Sequence, residues 1–302
     1  MNYEEIPLTF DCDGATLVGM IHRPEEIRAR GVLAIVAGGP QYRGGVGRLQ
    51  VQLARTLAAA GVPVMRFDYR GLGDSEGQFR GFQDVGADLA AAARTFRDKV
   101  PGMESIVLWG GCDAASGIMI NAWRMPEVSG LMIGNPWVHS HETGDAVTVK
   151  HHYRKRILER DFWLKVIRLQ YNPLPAIAVV GRSVAARIRR KLAGGGKSGG
   201  SGADERSQPF VERMRLGMSR FKGDVLLLLS GRSMVSKEFD ELLTHDAGWR
   251  EAMASVRSLE RHDMPDADQT YSSIAARHEV IGIARVWLLE RETAANREQA
   301  CA

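Results

Sequence analysis

The chain has 302 residues, 44% of them hydrophobic and 25% charged, which is ordinary for a globular protein and long enough for one α/β domain with a sizeable insertion. Its three cysteines, Cys12, Cys112 and Cys301, form no CxxC pair and no Cys/His cluster, so the sequence argues against a zinc site and a disulfide framework and favours a reducing cytoplasm. The net charge is only +4, no apolar run reaches the ~18–20 residues of a membrane helix, and no leader pattern precedes the first strand, so a membrane-spanning or secreted protein is not expected.

Strand and helix patterns alternate through the first 137 residues. Apolar runs predict strands at 15–24, 31–40, 62–71, 105–110 and 128–137. Apolar residues at helical spacing predict helices at 47–61, 82–100 and 113–123. Because strands alternate with helices of this length, the sequence predicts βαβ units and a mostly parallel sheet.

This alternation stops at residue 138 and resumes at residue 223. Residues 138–222 are basic and helix-prone, and a glycine-rich stretch near 193–209 is predicted to be a flexible loop. Strands at 224–232 and 254–261 and helices at 237–245 and 271–291 follow. We therefore expect an α/β core in two parts, residues 1–137 and 223–302, interrupted by a helical cap at 138–222.

The positive charge is concentrated in the predicted cap. Residues 150–222 hold 18 lysines and arginines against 5 acidic residues, whereas the rest of the chain is net negative. This asymmetry predicts an anionic partner, either a substrate or a lipid surface contacted peripherally, unless the charges only form a solvated helical face. The aromatic residues of this segment recur at helical spacing, which indicates core packing and argues against nucleic-acid binding.

Residues 110–114, GGCDA, lie between a predicted strand and a predicted helix. The small-x-nucleophile-x-small pattern is typical of a nucleophile elbow, a strained turn whose neighbours must be small. Cys112 is therefore the candidate nucleophile, at the carboxyl end of the sheet. The helix N-terminus favours its thiolate, whereas a nearby Asp113 carboxylate would raise the pKa of the thiol. A buried structural cysteine at a close strand–helix contact is the alternative.

Backbone N–H groups after the strand at 31–40 are candidates for an oxyanion hole. The segment VAGGP ends this strand, and the N–H groups of Gly39 and Asp113 are predicted to face a developing oxyanion, with Gln41 as a helper. Pro40 is excluded because it has no N–H. A loop whose glycines only permit a turn is the alternative.

Four segments together resemble a known family. RFDYRGLGDSEG is typical of α/β-hydrolases, and together with GGPQYR, LWGGCDAAS and GNPWV it resembles the exosortase A system-associated hydrolase 1 family. The resemblance covers the sheet domain on both sides of the insertion. It implies an α/β-hydrolase fold with a cap inserted late in the sheet order, a nucleophile at Cys112, and an occurrence beside bacterial exopolysaccharide and protein-sorting genes.

The acid and the base that this resemblance implies are both replaced. The family pattern for the acid is SGRDL, and this chain reads SGRSM, so Ser233 stands at the position of the aspartate. The family pattern for the base is DADHTF, and this chain reads DADQTY, so Gln269 stands at the position of the histidine. Glutamine forms hydrogen bonds but takes no proton at neutral pH. His262, seven residues before Gln269, is the nearest alternative base in the sequence.

Two functions are compatible with these residues. In the first, Cys112 forms an acyl-enzyme from a small ester or thioester without a cofactor or metal, backbone N–H groups hold the oxyanion, and Gln269 positions the acceptor for hydrolysis or acyl transfer. An anionic portion of that substrate is predicted to contact three cap arginines, Arg154, Arg156 and Arg160. In the second, the same scaffold binds a ligand without catalysis, and the basic cap docks an anionic partner.

Overall fold

The structure is a computed structural model that describes residues 2–38, 41–139 and 207–300. The chain divides into two compact units, Met1–Trp137 with Gln208–Ala302, and Val138–Ser207. Every strand and helix of the described residues belongs to the first unit. Most of the predicted cap lies outside the described residues, and its extent stays a prediction.

The described residues form one eight-stranded sheet. The strands are β1 (Tyr3–Cys12), β2 (Ala15–Pro24), β3 (Arg30–Ile35), β4 (Val64–Phe67), β5 (Ser105–Gly111), β6 (Val128–Gly134), β7 (Asp224–Ser230) and β8 (Ser258–Met264). Their order across the sheet is β1-β2-β4-β3-β5-β6-β7-β8. The pairs β1–β2 and β2–β4 are antiparallel, and all other neighbours are parallel. The mostly parallel α/β sheet predicted from the sequence is therefore confirmed.

Seven α-helices connect or follow these strands in the described ranges. They are α1 (Leu49–Ala59), α2 (Gly86–Lys99), α3 (Asp113–Asn121), α4 (Phe210–Arg220), α5 (Met234–His245), α6 (Ala247–Ala254) and α7 (Ile274–Ala300). None of these helices is long and apolar enough to cross a membrane.

The centre of the sheet is buried on both faces. Every residue of β3, β4 and β7 is buried, which explains why these strands carry mostly apolar residues instead of an alternating pattern. Trp109 of β5 and Trp287 of α7 belong to one core cluster with Met132 and Leu226 of the neighbouring strands. This core fixes the carboxyl ends of the parallel strands, where the candidate site lies.

Three elements differ from the sequence predictions. Strand β1 was not predicted; it pairs along its length with β2 through a turn at Asp13 and Gly14, whose φ values of 52° and 81° are those of a type I′ turn. Helix α6 was not predicted either. Helix α4 falls within the range predicted for the cap, yet it belongs to the sheet unit, where it contacts α3.

Candidate active site

Cys112 occupies a strained turn between β5 and α3. Its backbone has φ 57° and ψ −127°, a conformation that costs a non-glycine residue about 1–3 kcal/mol. Hydrogen bonds hold this turn: the Cys112 N–H donates to Gly134 O (2.8 Å), and the Cys112 carbonyl accepts from Trp137 N (3.2 Å) and Ser116 N (3.3 Å). The backbone geometry is that of a nucleophile elbow, as the spacing of small residues predicts.

The glycine before the elbow is required by the close approach of strand and helix. A Cβ atom on Gly110 would lie 2.7 Å from Ile118 Cδ1 and 3.0 Å from the carbonyl carbon of Ala114, closer than packed atoms can approach. A larger residue at position 110 would push α3 away from the sheet. The thiol would then leave its place at the end of β5.

The elbow opens into a cavity of about 400 Å³. The described residues of its wall are Ala37, Gly38, Gln41, Gly45, Val46, Leu49, Gln50, Phe82, Trp109, Gly111, Cys112, Asp113, Trp137, Gln269, Thr270 and Tyr271. Four predicted site residues, Cys112, Asp113, Gln41 and Gln269, thus line one cavity. In the described part of the chain, no three histidine, cysteine, aspartate or glutamate side chains come together as a metal site.

Gln269 links Cys112 to Ser233 in the way that a triad histidine links a nucleophile to its acid. The Ser233 hydroxyl donates to Gln269 Oε1, and the Gln269 side chain lies close enough to the Cys112 sulfur to lower the pKa of the thiol. Ser233 Oγ also accepts from Ser236 N (3.1 Å) as the N-cap of α5. The two positions that the family pattern assigns to acid and base therefore lie side by side, and neither residue can take a proton at neutral pH.

The surrounding groups fix the orientation of the Gln269 amide. Its Nε2 donates to the Asn135 carbonyl over a long 3.4 Å, and its Oε1 accepts from Ser233. The reverse orientation would place Oε1 against the Asn135 carbonyl oxygen, where two acceptors repel. The group that Gln269 turns toward Cys112 is consequently an N–H donor.

The local electrostatics keep Cys112 protonated. Burial raises the pKa of the Cys112 thiol and the Asp113 carboxylate raises it further, whereas hydrogen bonds from the Gln269 side chain and the Asp113 N–H lower it. The expected help from the helix N-terminus is therefore present but is outweighed. Because the described cavity wall offers no imidazole, most of the thiol is not ionised at neutral pH.

The Asp113 side chain folds back onto the loop that follows β3. Gly38 N donates to both carboxylate oxygens, Oδ1 at 2.8 Å and Oδ2 at 3.0 Å. A Cβ on Gly38 would lie 2.6 Å from Asp113 Oδ2, so only glycine allows this contact. Burial raises the pKa of the Asp113 carboxyl, although hydrogen bonds from the N–H groups of Gly38, Ala114 and Asp113 itself oppose the shift. Asp113 thus places a negative charge beside the predicted oxyanion hole.

Asn135, at the end of β6, is a site residue that the sequence reasoning did not single out. Its Nδ2 donates to Ser230 Oγ (2.8 Å) and Gln269 O (2.9 Å), and its Oδ1 accepts from Ser230 N (2.8 Å) and Ser236 Oγ (2.6 Å). Asn135 is fully buried with φ 48°, a backbone region that asparagine tolerates better than most residues. It ties together the segments that carry Ser233 and Gln269, and it follows Gly134, whose carbonyl accepts from the Cys112 N–H. The segment GNPWV was the available signal.

The segment RFDYRGLGDSEG has a structural part in building the cavity. The Asp68 carboxylate accepts from the backbone N–H and the guanidinium of Arg43 and from Asp74 N at 3.2 Å. Arg43 lies two residues after the cavity residue Gln41. Arg70 is held by Asp88, to which its Nε and Nη2 donate at 3.0 and 2.9 Å. The Arg43–Asp68 pair anchors the loop that contributes Gln41 to the cavity wall, and the buried Arg70–Asp88 pair joins the segment to α2.

The remaining predicted residues lie elsewhere. His262 is in the edge strand β8, where its Nε2 is 2.8 Å from Glu260 Oε1, and it is not part of the cavity wall. The alternation of β8 turns His262 and Glu260 to the same face of the strand. Gly39, Arg154, Arg156 and Arg160 lie outside the described residues, and so does the predicted loop near 193–209.

Comparison with known proteins identifies the class of fold. No protein-family model matches the chain, and neither does any curated protein. Similar solved structures include the esterase Pf2001 of Pyrococcus furiosus, with TM-score 0.62 and 14% identity over 95% of this chain and 93% of that one. Est1E of Butyrivibrio proteoclasticus has TM-score 0.57 and 13% identity, and the match covers 95% of this chain and 99% of that one. A candidate α/β-hydrolase from Agrobacterium tumefaciens has TM-score 0.57 and 16% identity, and the match covers 96% of this chain and 97% of that one.

At these identities the likeness establishes the fold and not the activity. The chain has the α/β-hydrolase fold, as the sequence motifs predict. Within that fold its elbow carries cysteine, and the two positions beside it carry glutamine and serine.

Proposed function

We propose that this chain is an acyl-handling protein of the α/β-hydrolase fold that forms an acyl-enzyme at Cys112 from a thioester or activated ester. One observation carries the proposal: the strained Cys112 lines the same cavity as Gln269, whose amide is held by Ser233 and Asn135 and lowers the pKa of the thiol. N–H donors aimed at sulfur stabilise its negatively charged form, which is the nucleophile.

The first step is the exchange of one acyl–sulfur bond for another. The Cys112 sulfur attacks the acyl carbonyl carbon, and the Asp113 N–H donates to the oxygen as it gains charge; Gly39 N–H is the predicted second donor. The bond to the leaving thiol then breaks, and that thiolate takes up the proton that Cys112 lost. A thioester suits the site because its leaving group needs no protonation by the protein before it departs.

The fate of the acyl-enzyme follows from the missing base. A catalytic base contributes about 10²–10⁴-fold to proton transfer, and the described wall of the cavity contains no imidazole. Activation of water is therefore weak, whereas an acceptor amine or thiol is itself a stronger nucleophile than water. We expect acyl transfer to such an acceptor to outpace hydrolysis.

Intact-mass spectrometry tests the proposal directly. Folded protein is incubated with the butyryl thioester of N-acetylcysteamine at pH 8, and we expect one added butyryl group that is absent in Cys112→Ala. Cys12→Ala is the matched control and should acylate normally, because burial raises the pKa of Cys12 to about 11. Equal labelling of Cys112→Ala, or no labelling of the native fold, would contradict an acyl-Cys112 intermediate.

A non-catalytic ligand-binding protein is the second candidate. It is favoured by the raised pKa of the Cys112 thiol and by the lack of imidazole in the described cavity wall. In that case the cavity binds a small molecule without acylation, while the basic segment 150–222 retains the protein on anionic vesicles in a salt-dependent way. Two expectations from the sequence apply equally to both candidate functions: that the protein is cytoplasmic, and that its gene lies beside exopolysaccharide genes.

A further inference from the structure

One side chain sets the charge of the described cavity wall. Among its sixteen described wall residues, the Asp113 carboxylate is the only ionised group, and lysine, arginine and histidine are absent. The protein groups that hydrogen-bond this carboxylate are backbone N–H groups, which leave its formal charge in place. No basic side chain of the described residues forms an ion pair with it.

Aromatic residues form part of the remaining described wall. Trp137 and Phe82 line the cavity together with Trp109 and Tyr271, which are each only 2% exposed. Ring faces attract cations, tryptophan most strongly, and the attraction grows when water is excluded. A partly buried carboxylate beside aromatic faces is the combination that binds a positively charged nitrogen.

We propose that the acyl group accepted by this cavity carries a positively charged ammonium, which pairs with Asp113 and rests against the tryptophan rings. This inference rests on the proposed acylation of Cys112, because it names the class of acyl group that reaches the thiol. Asp113 directly follows Cys112, so an ammonium a few bonds from the reacting carbonyl comes near its carboxylate. Neutralising that charge also removes the repulsion between Asp113 and the developing oxyanion.

The same arrangement disfavours an anionic acyl group. A carboxylate or phosphate inside the cavity would lie beside Asp113 without a described cation to balance either charge, and like charges in a partly buried site repel.

Isosteric thioesters provide the test. Three N-acetylcysteamine thioesters are compared by the rate at which intact mass shows acylation of Cys112: 4-(trimethylammonio)butanoyl, its neutral carbon isostere 5,5-dimethylhexanoyl, and anionic glutaryl. For the wild-type protein we expect the cation to react at least about tenfold faster than the isostere, equivalent to about 1.4 kcal/mol, and glutaryl to react slowest. In Asp113→Asn, whose amide oxygen still accepts from Gly38 N–H, the cation-to-isostere ratio should fall toward one.

The failure of this inference is distinguishable from failure of the proposed function. Acylation by the neutral isostere at a rate equal to or above that of the cation overturns the ammonium specificity and leaves acyl-Cys112 standing; the comparison needs only wild-type protein. If no thioester acylates Cys112, the unreactive N-methylamides of the same two acyl groups are titrated against tryptophan fluorescence. About tenfold tighter binding of the cationic amide then supports the cavity's preference, and equal binding overturns it.

Discussion

Restoring an acid and a base beside Cys112 should convert this site into an efficient hydrolase. The change is Gln269→His together with Ser233→Asp, at two positions whose side chains already share a hydrogen bond. An imidazole at 269 replaces an amide that contacts the Cys112 sulfur, and a carboxylate at 233 replaces the hydroxyl that orients it. The Ser236 N–H, which now caps onto Ser233, can cap an aspartate equally well.

The expected gain follows from the missing proton acceptor. General-base help contributes about 10²–10⁴-fold, so kcat/KM for p-nitrophenyl butyrate should rise at least about a hundredfold in the double variant. Ser233→Asp alone should instead cost stability, because position 233 is only 2% exposed and the new carboxylate would face Gln269 Oε1. A buried group without a suitable partner costs about 1–3 kcal/mol.

A double-mutant cycle measures this coupling. Activity and urea unfolding are recorded for the wild type, both single variants and the double variant, with Cys112→Ala in the double background to show that hydrolysis passes through the thiol. Gln269→His is expected to recover the stability that Ser233→Asp loses. A folded double variant within tenfold of wild-type activity would refute the reasoning that only the proton-transfer groups are missing.

Three further measurements test separate parts of the structure. The rate at which a neutral thioester acylates Cys112 should keep rising with pH up to 9 without a plateau, because the pKa of the thiol is raised. Asp113→Asn should lower that pKa and increase the rate at pH 7. A rate independent of pH would contradict this prediction. Asn135→Gly should lower the free energy of unfolding in urea by about 3 kcal/mol or more, because buried hydrogen bonds are lost. Asn135→Ala should lower it by about 1 kcal/mol more, because the φ of 48° at this position disfavours alanine. Equal losses for the two variants would show that the backbone conformation contributes nothing. Burial and the Arg66 guanidinium lower the pKa of His22 to about 4, so the folded state favours its neutral form, and stability should fall by up to about 3 kcal/mol as pH drops from 6.5 through 4. His22→Gln should flatten that dependence, which unfolding midpoints across this pH range would reveal.

The sequence predicts the centre of the sheet well because burial there has a local signature. Strands buried on both faces are continuous apolar runs, as in β3 and β7. The elbow at Cys112 is equally local, since small residues on either side allow its φ of 57°. The missed β1 has mostly exposed and half-buried residues, yet the Asp13–Gly14 pair was a usable hairpin signal.

The parts of the site that the sequence could not predict depend on contacts between distant residues. Asn135 meets Ser230 and Ser236 about a hundred positions later, and Asp113 meets Gly38 seventy-five positions earlier. Charge and spacing identify Asp113 as a neighbour of the nucleophile, but they do not reveal that its carboxylate turns onto the loop after β3. Hydrogen-bond partners of this kind follow from the packed fold and not from any periodicity.

Helix stability accounts for the residue at position 233 but not for the residue at position 269. Ser233 caps α5, so the stability of that helix is sufficient reason for a serine there. No comparable reason accounts for Gln269, whose Oε1 is fixed by Ser233 so that its N–H groups face Asn135 O and the Cys112 sulfur. A neutral thiol gains little from an additional donor, whereas a thiolate gains a charge-assisted hydrogen bond. We therefore expect this arrangement to stabilise a Cys112 thiolate in the proposed acylation, with proton transfer left to the substrate.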